Sequence, residues 1–132
     1  LELPDNVHVF SSRKAETFRI ETRKVALHGR SFKVAATTDN LLPGYPEPVA
    51  GWLNIGVLHT ALEGNAEHAR YAPCSVAELQ AKGYQYWALG HVHEHWVQRG
   101  DVTIAYPGNL QGGCVAIAAP RRQMAVDVDR FQ

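Results

Sequence analysis

Apolar and β-branched residues come in short runs along this chain, separated by clusters of glycine, proline and polar residues, a pattern of strands and turns. Val7–Phe10 and Thr17–Ile20 read as strands. Val25–Leu27 and Phe32–Val34 are expected to form a hairpin about His28-Gly29-Arg30-Ser31, with the glycine taking the awkward backbone angle. Three prolines and a glycine make 39–48 a loop. Leu53–Leu58 is a largely apolar run of strand length that ends on His59, and the polar stretch 63–73 is again loop. Ser75 and Glu78 have capping-box spacing, so one clear helix starts there and closes at Gly83. Tyr84–Leu89 is apolar enough for a buried strand. Trp96–Gln98 and Val102–Tyr106 are expected to pair as a hairpin around Arg99-Gly100-Asp101. Cys114–Ala118 and Ala125–Val128 close the pattern as strands. The chain reads as β-rich with one helix.

Composition narrows the classes. At 132 residues the chain is one domain or less, and long enough for a hydrophobic core. Thirteen basic residues balance thirteen acidic ones, so no overall field draws it to nucleic acid or to a membrane. The basic pairs Arg13-Lys14, Arg23-Lys24 and Arg121-Arg122 read as solvated surface. No apolar stretch reaches the roughly 18 residues of a membrane span, and no signal peptide is visible. Cys74 and Cys114 are isolated, with no CxxC zinc pair, which suggests the reducing cytoplasm. The chain opens at Leu1 and its only methionine is Met124, as expected of a piece of a longer protein.

The candidate chemistry lies in histidine. Of the seven in the chain, His91, His93 and His95 alternate in "GHVHEH" directly after an apolar run and Gly90. On an extended segment such residues point the same way, and two imidazoles can then meet at one metal. His91 directly follows a strand, where an open sheet presents its ligands, and His59 also ends a strand-like run. Two strand ends that both terminate in histidine suggest neighbouring strands aiming at one point. His95 is one step further on and is expected at the rim, or bonded to a neighbour. His68, in a polar loop, is either a contact to a substrate phosphate or an ordinary surface histidine. His8 and His28 read as strand and turn histidines without a role.

A strand ending "NIGVLHT", a loop and helix, then "YWALGHVH" and "YPGN" resembles the second half of calcineurin-like metallophosphoesterases. The pattern is most similar to SbcD-type DNA repair exonucleases and their YhaO-like relatives, over roughly Leu53 to Gln111. The resemblance implies a four-layer α/β/β/α sandwich, of which residues 1–132 form the C-terminal portion. It implies that His59 and His91 bind the second of two metals and that His93 binds the first. The ions would be two divalent cations, manganese above all, with iron or zinc also seen, acting by two-metal phosphate-ester chemistry. Asn109 and Gln111, in and after the YPGN turn, would approach the substrate or simply shape the turn. The family's partners imply DNA or another phosphodiester as substrate and an SbcC-type ATPase as associate. A sheet edge exposed where the first half belongs would favour a homodimer or a proteolytic remnant.

The departures matter equally. Asp-x-His, Gly-Asp-x-x-Asp and Gly-Asn-His-Asp/Glu, which carry the family's remaining ligands and its catalytic histidine, do not occur. No catalytic residue is therefore assigned in this chain, and alone it is expected to bind metal weakly and to turn over little. After "YPGNLQG" the charged stretch common in YhaO-like members is absent. Two rival readings remain: a cupin, a single-metal β-barrel with an HxH motif, and a non-catalytic binding module derived from a phosphoesterase. Trp52, Trp87 and Trp96 would anchor the latter.

Overall fold

The structure, a computed structural model, describes residues 2–31, 39–62 and 74–108. Six strands form one mixed sheet: β1 (Glu16–Ile20), β2 (Val25–Gly29), β3 (Leu53–His59), β4 (Tyr86–Gly90), β5 (His95–Gln98) and β6 (Thr103–Pro107). They lie in the order β1-β2-β3-β4-β6-β5. The four central strands run parallel, and β1 and β5 flank them as antiparallel partners of β2 and β6. Parallel strands need long crossovers, and the one from β3 to β4 carries the helix α1 (Val76–Ala81). This is an α/β arrangement consistent with half of a metallophosphoesterase sandwich. Among the described residues the sheet is open with a parallel centre, unlike the closed barrel of a cupin.

Burial explains why β3, β4 and β6 read as apolar runs rather than alternating ones. Ile55, Leu58, Trp87, Leu89 and Ile104 are all 2% exposed or less. One sheet face meets α1 through Leu79, together with Leu42, Tyr45, Tyr84 and Cys74. Trp87 lies where a side chain on Gly56 would stand, and its indole N–H donates to Leu79 O at 3.0 Å, tying helix to sheet. Burying an indole of roughly 200 Å² contributes on the order of 5 kcal/mol before entropic costs. Ser75 caps α1 as its spacing predicts: Ser75 Oγ accepts from Glu78 N at 3.1 Å, and Glu78 Oε1 accepts from Ser75 N at 3.2 Å.

Two local expectations are corrected. The hairpin expected about His28–Ser31 does not form there, because β2 runs straight through His28 and Gly29. The turn lies upstream, in a 3-10 turn at Glu21–Arg23 followed by Lys24 at φ 51°, and β2 pairs back with β1. His28 is fully buried, with Thr17 Oγ1 at 2.7 Å, Asn54 Oδ1 at 2.8 Å and the Tyr84 ring stacked on it at 4.2 Å. Gly29 serves contact rather than a turn angle, since the Phe10 ring occupies the place of its missing side chain. Val7–Phe10 form no strand; they lie beside β1, with the His8 ring stacked on Phe18 at 4.2 Å. The strands expected at Phe32–Val34, Cys114–Ala118 and Ala125–Val128, and the loop 63–73, lie outside the described residues.

Candidate metal centre

Strands β3 and β4 are hydrogen-bonded neighbours, and their register sets His59 opposite Gly90. Both run parallel, so His59 and the residue after Gly90 emerge at the same edge of the sheet. His91 Nδ1 lies 3.2 Å from His59 Nε2, with ring centroids 5.0 Å apart and planes crossing at 69°. At that distance an N–H of one ring donates to the bare nitrogen of the other. Gly90 makes the approach possible, because a Cβ there would stand 3.1 Å from His59 Nδ1.

The alternating side chains expected of "HVHEH" are not what the chain forms. His91 has φ 100°, rare for a residue with a side chain and costing on the order of 1–3 kcal/mol. This turn ends β4 and sets the His91 ring against His59 instead of continuing an extended segment. His93 follows in the turn and is exposed. Burial first, then the charge on nearby His93, hold His59 below the ordinary imidazole value of 6.5. His95 opens β5 and is exposed at the rim, where its backbone packs on Gly108 at φ 72°. His68, Asn109 and Gln111 lie outside the described residues.

A depressed pKa keeps His59 neutral, the form in which imidazole binds metal. Two nitrogens bound to one ion at about 2.1 Å stand roughly 3.0–3.4 Å apart, and the observed 3.2 Å falls in that interval. Among the described residues, no group of three or more His, Cys, Asp or Glu side chains is gathered into a metal cage. The structure therefore brings together His59 and His91, and His93 stands near them without completing a triad.

The sequence reading missed what holds these strand ends. Thr60 N–H donates to Gly90 O at 3.2 Å, and the Tyr106 hydroxyl donates to Thr60 O at 2.6 Å. The sequence signals are a polar-tipped aromatic near the end of β6 and its place at the head of the YPGN turn. Beside His59, a cavity of about 390 Å³ opens against Leu27, Ile55, Val57, Ala88 and Pro107. A larger one of about 560 Å³ lies at the opposite sheet edge, between Lys24, Trp52 and Gln85, far from the histidines.

Over 115 residues the chain is 36% identical to a Bacillus subtilis protein named uncharacterized metallophosphoesterase YhaO. This likeness supports the metallophosphoesterase superfamily. It takes in 84% of this chain but 28% of that metallophosphoesterase, so the chain spans under a third of its relative's length. No family model and no solved structure matches the chain. No helix among the described residues is long and apolar enough to cross a membrane.

Proposed function

We propose that the intact protein is a metal-dependent phosphodiesterase, specifically a DNA exonuclease of the SbcD type working with an SbcC-type ATPase in the cytoplasm. The observation that carries this reading is the meeting of His59 Nε2 and His91 Nδ1 at ligand separation on neighbouring strand ends. The likeness to a named metallophosphoesterase supports the reaction class. In this reading His59 and His91 hold one divalent ion, and His93 belongs to a second. When bound, such ions, manganese above all, offset the negative charge on the phosphoryl oxygens of the substrate. The chain's own contribution is to hold the two imidazoles in place: burial keeps His59 unprotonated, and the turn at His91 aims its ring. The other ligands, carboxylates included, and the catalytic groups come from outside this chain, which alone has little activity. His95, at the rim, is placed to approach the substrate.

Hydrolysis of bis-p-nitrophenyl phosphate with manganese tests this. The intact protein should turn over, and His59→Ala and His91→Ala should each lower kcat/KM by about 100-fold or more. Unchanged turnover in both variants would overturn the assignment. A well-folded intact protein without turnover would favour the non-catalytic binding module. Release of mononucleotides from a DNA duplex end would separate an exonuclease from a small-molecule phosphodiesterase.

A further inference from the structure

We propose that Tyr106 is a positioning residue for the His59–His91 pair. The inference rests on the metal-ligand reading of that pair and concerns what keeps the two imidazoles at ligand separation.

Three strand ends converge here. Thr60 directly follows His59, and Gly90 directly precedes His91. The Thr60 N–H donates to Gly90 O at 3.2 Å, so the backbones beside the two histidines are joined. Tyr106, on β6 and 3% exposed, donates its hydroxyl to Thr60 O at 2.6 Å. In the sheet β6 neighbours β4, not β3, so this side chain reaches past β4 to the end of β3. Both peptide planes flanking Thr60 are thereby pinned, one by Gly90 and one by Tyr106. Thr60 is fully buried, so water does not replace the lost donor if the hydroxyl is removed. β6 braces the far side as well: a Cβ on Gly108, just past its end, would stand 2.9 Å from His95 N, where the histidine-bearing turn rejoins the sheet. β6, which carries no histidine, thus sets the relation between the ends of β3 and β4, where His59 and His91 meet.

A merely structural hydroxyl would cost stability without changing how an ion is held, and this separates the two roles. Cobalt(II) or zinc(II) is titrated by calorimetry into the full chain and its Tyr106→Phe, Tyr84→Phe and His59→Ala variants, with thermal midpoints measured alongside. Phenylalanine keeps the ring in the core, and the midpoint verifies that the variant is folded. Tyr84 is the control, because its hydroxyl also donates to a carbonyl, that of Pro46, away from His59 and His91. Tyr106→Phe should bind metal about tenfold more weakly at a temperature where it is fully folded. Tyr84→Phe should lower the midpoint and leave affinity unchanged. Wild-type affinity in Tyr106→Phe would overturn the positioning role alone, as would an equal loss in both tyrosine variants. Binding to the wild type that is absent, or unaffected by His59→Ala, would overturn the metal-ligand reading and this proposal with it.

Discussion

The Nε2–H of His28 donates to Oδ1 of Asn54 at 2.8 Å, joining two parallel strands through side chains in the core. The direction of that bond is set by Asn54. Its Nδ2 donates to Val49 O and Trp52 O at 3.0 Å each, while Oδ1 also accepts from Val49 N at 2.7 Å. Nε2 of His28 must therefore carry a proton, and burial, which disfavours the charged ring, leaves Nδ1 bare to accept from the Thr17 hydroxyl. Burial lowers its pKa from 6.5, opposed in part by the Asn54 bond. A histidine with a folded pKa below its unfolded value binds more protons when unfolded at mildly acid pH. Stability should thus be fully present above 6.5 and fall as pH drops through the lowered value. Thermal midpoints between about pH 8 and pH 5 should be flat, then decline. His28→Gln should start lower and decline less steeply, with the remaining slope shared by His59, which is lowered in the same sense.

Gly90→Ala should weaken metal binding while leaving the fold intact. The glycine is not at a positive φ, so alanine fits the backbone, but its Cβ would press on His59 Nδ1 from 3.1 Å. A displaced imidazole no longer shares an ion well with His91. The expected loss is roughly three- to tenfold in zinc affinity, measured by titration, with a thermal midpoint close to wild type.

Gly56→Ala should be among the most damaging small changes. Its Cβ would overlap the Trp87 ring, which is fully buried and cannot swing away without breaking its bond to Leu79 O. Overpacking of this kind costs about 2–3 kcal/mol. Urea denaturation should show a lower midpoint with an unchanged slope.

Ser75→Ala removes half of the capping box at the start of α1. Loss of such a cap costs about 1 kcal/mol, or roughly 3–6 °C in the unfolding midpoint. Ser75→Asp should recover most of it, which distinguishes the cap from general packing at that position.

Much of the site was legible because its signals are local. The apolar runs that end on His59 and just before His91 predict strand ends, and both strands stop there in the structure. Ser75 and Glu78, and the turn around Arg99–Asp101, are legible because their partners lie within a few residues. His28 was not legible. A histidine followed by glycine resembles a turn, and the groups that keep it inside, Thr17 and Asn54, lie 11 and 26 residues away. Nor does alternation reveal that His91 takes φ 100°, because the demand comes from meeting His59 across the sheet. Tyr106 heads the YPGN turn, but its link to Thr60 is not legible, since the two lie 46 residues apart.

The two imidazoles are separated by 32 residues and sit at the ends of parallel strands, so no hairpin can bring them together. Their encounter waits for the crossover to close, and such non-local pairing is the slow part of folding. An ion that needs both rings has no comparable partner in the unfolded chain. Its binding would therefore favour the closed crossover by mass action, and the rate at which the imidazole pair forms would report when the parallel centre of the sheet is complete.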